Sequence, residues 1–378
     1  MKRHVALALA LAVATMAAGC RKPADSSDES SVTAILGGTA AEGFARAVEP
    51  RSFRFPADHG PHPDFRNEWW YFTGHLKDSS ANHYGYQLTF FRNRLLAPGE
   101  APARSSPWAT EQAFLAHFAV SDATGRNFRS FERWNRGALG LAGARSEPSL
   151  RVWLADWELR DDGAGGFEIT ARAGDRALQL QLTPRRSPIL QGDGGLSRKG
   201  REPGNASYYY SMPRLASRGS LEIGGRELTV EGQSWLDREW STSVLETGQV
   251  GWDWFSISLS NGTDLMFFRL RRNDGRIDTN SSGSLAPADG PVRPLKVDDV
   301  TLRERRYWTS DRTGARYPVA WTLELPDLAL WLEVEPLLDG QELAHSFRYW
   351  EGAVRVTGEQ AGEPVSGEGY VELTGYDR

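Results

Sequence analysis

Two carboxylate residues separated by a single position are the first candidates for chemistry in this sequence. Asp237 and Glu239 flank Arg238 in the segment Trp235–Trp240. On a strand, alternate side chains point to the same face, so the two carboxylates would lie side by side. Their mutual repulsion raises one of the two pKa values, and such a pair can divide the tasks of donating and accepting a proton. A solvated strand between two domains is the alternative interpretation.

Asp253 is the third candidate, because it lies in a strand-like run that is otherwise apolar on its face. Alternation in this run predicts that Asp253 shares a face with Phe255, Ile257 and Leu259. A carboxyl group in such surroundings is costly unless it is protonated, paired or functional. Asp253 is therefore either a general acid in a hydrophobic pocket or the salt-bridge partner of Arg238 or Arg269 where two domains meet.

Tryptophan is unusually frequent, with 14 residues among 378. The segment Glu68–Phe72 carries large side chains at successive positions, so both faces of a strand there would be apolar. Such a strand lies between two layers, or between a wall and a cavity. The predicted ligand contacts are Trp70, Trp235, Trp240, Trp252 and Trp254.

Several other classes of site find little support. The segment 232–236 lacks the second glycine of a serine-hydrolase elbow. His59 and His62 lie in a Gly-Pro loop without a matching second pair, and His75 and His117 fit a strand or barrel wall, so no metal site is predicted. No phosphate-binding glycine loop opens a helix, and the net charge is −5, which disfavours nucleic acid. No cofactor is expected.

The pattern of apolar residues predicts an all-β protein. Period-two runs begin near Phe53 and recur to the end of the chain, for example at Leu178, Leu180 and Leu182. Turn-forming pairs such as Gly224-Gly225 and Asn261-Gly262 fall between the runs. Many short strands joined by hairpins are typical of antiparallel barrels or sandwiches, and the length favours two domains.

The N-terminus predicts export. Lys2 and Arg3 precede an apolar run that is too short to cross a membrane, and small residues lead to Cys20, the only cysteine. Residues 1–19 therefore read as a signal peptide, and Cys20 as the lipidated residue of a bacterial lipoprotein. An ordinary signal peptide with an incidental cysteine is the alternative. Residues 20–52 are predicted to be a tether. Arg21 resembles the pattern of lipoproteins sent to the outer membrane, so the body would face the periplasm.

Three motifs together resemble the AttH family, which includes the carotenoid 1,2-hydratases. They are Asn67–Tyr71, Trp235–Trp240 and Gly251–Phe255. The resemblance implies two tandem lipocalin-like (calycin) antiparallel β-barrel domains, at 53–240 and 241–378. The hydratases carry an Asp-His-Asn-Trp-type sequence where this chain has Asp237-Arg238-Glu239-Trp240, which argues against carotenoid hydration itself.

Two functions are compatible with these observations. The first is binding of a hydrophobic isoprenoid or other lipid-like ligand in a barrel cavity. The second is a lyase that adds water to a terminal alkene of a carotenoid-like substrate. Such an enzyme needs a strong proton donor and an aromatic pocket, and Asp253, Asp237 and Glu239 are the candidate acids.

The lipid anchor gives the first testable prediction. Cys20→Ser removes the thiol that would carry the lipid, so the variant should leave the membrane fraction and become soluble. Fractionation with a high-salt wash measures this. Retention of the variant in the membrane fraction would show that Cys20 is not the anchor.

Overall fold

The computed structural model describes residues 42–100, 105–243 and 245–376, and they form two sheets of antiparallel strands. Their helices are three single turns of 3₁₀ type, Ala57–His59, Val297–Asp299 and Pro326–Leu328. None of the helices in these ranges has the length and apolar character needed to cross a membrane. The prediction of an all-β chain is confirmed. Cys20 and the signal peptide lie outside the described residues.

Thirteen strands make up the first sheet. They are β1 (Asn67–Asp78), β2 (His83–Arg94), β3 (Gln112–Asp122), β4 (Asn127–Arg136), β5 (Ala142–Arg145), β6 (Arg151–Leu154), β7 (Trp157–Asp161), β8 (Phe167–Ala173), β9 (Arg176–Pro184), β10 (Ile189–Leu190), β11 (Leu196–Arg198), β12 (Ala206–Ile223) and β13 (Arg226–Ser241). The order is β4-β3-β2-β1-β13-β12-β9-β8-β7-β6-β5, and β10 and β11 pair with β12.

Ten strands make up the second sheet. They are β14 (Gln249–Leu259), β15 (Asp264–Arg272), β16 (Ser282–Ala286), β17 (Arg293–Lys296), β18 (Thr301–Thr309), β19 (Arg316–Leu325), β20 (Leu330–Pro336), β21 (Glu342–Ala344), β22 (Arg348–Gln360) and β23 (Glu363–Thr374). The order is β17-β16-β15-β14-β23-β22-β20-β19-β18, and β21 pairs with β22. The change of sheet falls between Ser241 and Gln249, and both sheets are barrel-like.

Hairpin geometry explains why neighbouring strands pair antiparallel. Gly224 and Gly225 connect the long strands β12 and β13, and their φ angles are +60° and +79°. Two successive positive φ angles define the tight turn whose twist matches that of the strands, and glycine adopts them without a steric penalty. The two-residue turn sets the register of β13, the strand that carries Asp237 and Glu239.

Four central strands, β1, β13, β14 and β23, bury both of their faces. On one face, apolar side chains fill the interior of their own domain, as Phe72, Leu236, Phe255 and Val371 do. On the other face, a third apolar cluster lies between the domains and includes Tyr71, Trp235, Trp254 and Tyr370. The barrel interiors therefore pack as cores, and the aromatic crevice described below lies between the two domains. The sequence instead predicts the ligand cavity inside a barrel.

Charged contacts also join the domains. Asp264 of β15 is buried, and its Oδ2 atom accepts hydrogen bonds from Arg186 at 2.7 Å and Arg214 at 2.9 Å, both from the first domain. A buried carboxylate held by two guanidinium groups fixes the relative position of the surfaces that carry them.

The described end of the predicted tether packs on the first domain. Ala47 is fully buried, the carbonyl oxygen of Ala45 accepts a hydrogen bond from Thr242, and that of Glu49 accepts one from Tyr208 at 2.8 Å. Residues 45–49, which belong to the predicted tether of 20–52, therefore pack against the first domain.

Candidate functional site in the crevice between the domains

A crevice lies between the two domains, where the outer faces of the central strands meet. The empty volume of the crevice is about 780 Å³, which includes the part that is open to solvent. Within it, the centre of a water molecule can occupy about 90 Å³. Its aromatic walls include Trp69, Tyr71, Tyr209, Trp252, Trp254 and Phe268. Its polar groups include Lys199, Asp237, Glu239, Tyr349 and Glu372. Concave apolar walls with a few converging polar groups are typical of small-molecule sites.

Asp237 is the central acid of this crevice. Its carboxyl group accepts hydrogen bonds from Ser211 at 2.6 Å, from the Trp235 indole at 2.7 Å and from the Tyr209 hydroxyl. Burial opposes ionisation and outweighs these hydrogen bonds, and the charge of Glu239 adds to it, so the pKa of Asp237 rises to about 7. At neutral pH the group is therefore poised to give or take a proton.

Glu239 lies on the same face of β13, as alternation predicts. It differs from Asp237 in having a cationic partner, because Lys199 Nζ lies 3.3 Å from its Oε1 atom and Ser207 donates a hydrogen bond to the same atom. Lys199 also lies 3.9 Å from the centre of the Phe268 ring. The two carboxylates thus share a face but have different surroundings, which is the condition for dividing acid and base roles.

A second acid pair, which the sequence reasoning missed, comes from the second domain. Glu351 and Glu372 are directly opposite each other on β22 and β23. The Tyr71 hydroxyl donates to Glu351 at 2.5 Å, and the Trp252 indole donates to Glu372 at 2.5 Å. Burial and then the charge of Glu372 raise the pKa of Glu351 well above its usual range, whereas that of Glu372 rises to about 7, chiefly through burial.

Protonation of Glu351 follows from these surroundings. Its Oε2 atom is buried and accepts no hydrogen bond from the described residues. Burial raises the pKa of both carboxyl groups and the two are hydrogen-bond neighbours, so Glu351 is protonated at neutral pH and can share its proton with Glu372. The crevice therefore contains two sites, one in each domain, that can exchange a proton near pH 7.

Tyr349 connects the crevice to a third polar group. Its hydroxyl lies 2.6 Å from His117 Nδ1, and His117 Nε2 lies 3.0 Å from Glu132. Burial alone would raise the pKa of Glu132, but hydrogen bonds from His117 and Ser346 lower it to about 2, so Glu132 is a carboxylate acceptor. His117 Nε2 therefore carries the proton, and Nδ1 accepts one from Tyr349. Burial lowers the pKa of His117 and raises that of Tyr349 well above its usual range, so both groups are neutral and the hydrogen bonds hold the Tyr349 hydroxyl in place at the crevice wall.

The predicted tryptophans divide between the two faces. Trp252 and Trp254 line the crevice, and Trp235 lies behind Asp237 and donates to it. Trp70 and Trp240 point into the first barrel instead, where the Trp70 indole donates to the carbonyl of His59 at 2.8 Å and Trp240 is buried. Trp69, one position away, lines the crevice in place of the predicted Trp70.

Asp253 also faces away from the crevice. It is fully buried on the barrel side of β14, and its two oxygens contact Arg269 Nε at 2.8 Å and Arg271 Nε at 3.1 Å. The Tyr376 hydroxyl donates to it at 2.8 Å. Of the two interpretations, the structure shows the salt bridge, with Arg269 and not with Arg238. Asp253 is therefore left out of the candidate catalytic set.

Arg238 anchors the strand between the two crevice carboxylates. It is fully buried, pairs with Glu68, and lies 4.0 Å from the centre of the Trp70 ring. Glu68 also pairs with Arg92 and accepts a hydrogen bond from the backbone of His62 at 3.0 Å. Burial alone would raise the pKa of Glu68, but the two guanidinium groups hold it well below its usual range. This network fixes Arg238 inward, so Asp237 and Glu239 must point into the crevice.

Fold and site together define a two-domain lipocalin-like protein whose acid-lined crevice lies at the domain interface. The three motifs Asn67–Tyr71, Trp235–Trp240 and Gly251–Phe255 all lie on the crevice strands. The sequence profile of the AttH-like family matches residues 46–376, so the chain belongs to the AttH-like family.

Three similar proteins illustrate this family and fold. An AttH-type crystal structure from Nitrosomonas europaea is 37% identical, covers 88% of this chain and 100% of its own, and has a TM-score of 0.78. Kievitone hydratase from Nectria haematococca is 13% identical, with a TM-score of 0.66 over 88% of this chain and 98% of its own, and shows the same fold. Dehydratase asqC from Emericella nidulans is 23% identical over 196 residues, 49% of this chain and 54% of that protein. The chain thus spans about half the length of this curated relative.

The contrast between Asp237 and Asp253 gives a prediction about stability. The folded protein holds the Asp237 proton up to about pH 7, whereas the unfolded chain releases it near pH 4, so ionisation favours unfolding across that range. Asp237→Asn should therefore increase the free energy of unfolding by about 1–3 kcal/mol at pH 8 and have little effect at pH 4. Urea denaturation at both pH values measures this.

Asp253→Asn is the matched control with the opposite expected sign. It leaves two partly buried guanidinium groups without their carboxylate, so it should lower the free energy of unfolding by about 3 kcal/mol at pH 8. If Asp237→Asn instead destabilises the protein as strongly as Asp253→Asn, Asp237 is a structural carboxylate and not a poised acid.

Proposed function

We propose that this protein is a hydro-lyase that removes water from, or adds water to, an apolar small molecule bound in the crevice between its domains. The observation that carries the proposal is Asp237, a buried carboxyl group with a pKa near 7 in an aromatic wall and without a salt-bridge partner among the described residues. Catalytic acids are tuned in this way, because a pKa close to the working pH suits both donation and return of a proton.

The geometry suggests how the reaction would run. In the dehydration direction, protonated Asp237 gives its proton to the hydroxyl group of the substrate, and the C–O bond breaks to release water. A base in the same crevice takes a proton from the adjacent carbon, which completes the new double bond. Glu239, which pairs with Lys199, is the candidate base. Hydration is the reverse sequence, and aromatic faces such as that of Trp254 would stabilise positive charge on carbon.

The residues that line the crevice suggest the class of substrate. Tryptophan, tyrosine and phenylalanine rings dominate the crevice, and its polar groups lie together around Asp237 and Glu372. A molecule with an apolar body and one hydroxyl group or reactive alkene, such as a terpenoid or other isoprenoid, fits this arrangement. The family includes hydratases, and the similar proteins include a hydratase and a dehydratase, which supports this reaction class. Export and lipidation at Cys20, with the body facing the periplasm, would place the crevice beside a membrane that supplies such molecules.

Binding without catalysis is the second candidate. The large aromatic surface of the crevice supports it independently of the acids, because burial of an apolar ligand alone gives affinity. A carrier would return its ligand unchanged, so the two candidates differ in the fate of the bound molecule.

The test combines extraction with turnover. Organic extraction of the purified protein followed by mass spectrometry should reveal an apolar compound. The protein is then incubated with this compound, or with linalool as a defined probe, in ¹⁸O-labelled water. The product should be one water lighter or should contain ¹⁸O. Asp237→Asn should bind the compound but lower turnover by about 10²–10⁴-fold. The surface variant Asp289→Asn should behave like the wild type. Binding without turnover would identify a carrier, and absence of any bound apolar compound together with no turnover of linalool would contradict both candidates.

A further inference from the structure

A second polar cluster lies at the far end of the same domain interface. His75 of β1 and His83 of β2 are diagonal neighbours across the first hairpin, and Glu368 of β23 comes from the second domain. Both histidines are buried, whereas the Glu368 side chain is about one-third exposed. The cluster borders a small crevice of about 30 Å³, which is room for water but not for a substrate.

We propose that His75, His83 and Glu368 form a binding site for a Zn²⁺-class transition-metal ion that links the two domains. Imidazole nitrogens and a carboxylate oxygen are the ligand types that such ions prefer. The site is separate from the crevice acids and does not depend on the proposed hydro-lyase activity.

The donor atoms are close to the required geometry. His75 Nδ1 lies 2.8 Å from His83 Nε2 and 4.0 Å from Glu368 Oε2, and His83 Nε2 lies 3.6 Å from Glu368 Oε1. Ligands at about 2.0–2.1 Å from a tetrahedral Zn²⁺ ion lie roughly 3.3 Å apart. The two Glu368 distances end at different carboxylate oxygens, and one ligand atom from each residue lies within 4.8 Å of the others. Shifts of about an ångström would bring the three donors into place, and the exposed side of Glu368 leaves the fourth position open to water.

The orientation of His75 is the strongest single observation. Its Nε2 atom lies 2.8 Å from the carbonyl oxygen of Gly369, so Nε2 carries the proton and Nδ1 presents its lone pair to the cluster. Metal-bound histidines are typically held in this way, with the second nitrogen donating to a backbone carbonyl or carboxylate. The carbonyl belongs to the residue after Glu368, so one backbone segment both supplies a ligand and orients another.

Two cationic side chains lie near the cluster and determine how its ligands are paired and protonated when no metal is bound. Lys77 Nζ lies 3.2 Å from Glu368 Oε1, and Arg355 lies 3.4 Å from His83 Nδ1. The Arg355 contact places the proton of His83 on Nε2, so metal binding requires that this proton move to Nδ1 and that the exposed Arg355 side chain turn away from it. Lys77 is half-exposed and can turn into solvent, and its charge should weaken metal binding rather than prevent it.

The test uses the full chain without an affinity tag, freed of metal with EDTA. Isothermal titration with ZnCl₂ should give one equivalent per chain with a dissociation constant of about 1 µM or lower. Co²⁺ should give the visible absorption bands of a tetrahedral ion. Zn²⁺ should also raise the melting temperature, because only the folded interface brings the three ligands together.

Variants separate the site from adventitious binding. His83→Gln and Glu368→Gln should each weaken Zn²⁺ binding by about 100-fold or more, whereas Lys77→Gln should strengthen it by about tenfold. His345→Gln, which changes another partly buried histidine, should leave it unchanged. Glu368→Gln alters a partly exposed side chain, so circular dichroism should show a native fold. No saturable Zn²⁺ binding by the wild type, or equal binding by Glu368→Gln, would overturn the proposal.

Discussion

The two-residue period of the β-strand is the constraint on which the other features depend. β1, β13, β14 and β23 each separate a barrel core from the domain interface, so every second side chain faces a different environment. Arg238 shows the consequence most directly. Its charge is buried against Glu68 inside the barrel, and this forces its neighbours Asp237 and Glu239 into the crevice. A shift of β13 by one residue would turn its barrel-facing side chains toward the crevice and its crevice-facing side chains into the barrel.

Carboxyl groups on the two faces of these strands have different partners. On the barrel side, Glu68 and Asp253 are each held by two guanidinium groups, which makes burial of a carboxylate tolerable. On the crevice side, Asp237 and Glu372 receive hydrogen bonds from neutral hydroxyl or indole groups, and burial raises their pKa values. The same residue type is therefore a fixed anchor on one face and a proton-exchanging group on the other.

Sequence periodicity predicted the strands and the shared face of Asp237 and Glu239, because both depend on local pattern. It could not say which face meets the crevice, so it selected Trp70 in place of Trp69. It also placed Asp253 correctly among apolar neighbours without identifying which arginine lies beside it. Glu351, Glu372 and the cluster of His75, His83 and Glu368 were not predicted as sites. Strands from distant parts of the chain bring them together with their partners, and the spacing of residues along the sequence does not indicate which strands will meet.

The separation of the two faces has a consequence for how such a scaffold can diversify. A substitution at a crevice-facing position, such as 69 or 254, alters the chemistry of the pocket while the alternate residues continue to fill the barrel cores. Barrel packing and crevice chemistry are thus encoded in alternate residues of the same strands. The walls of the crevice can therefore vary in sequence while the cores of both barrels keep their packing.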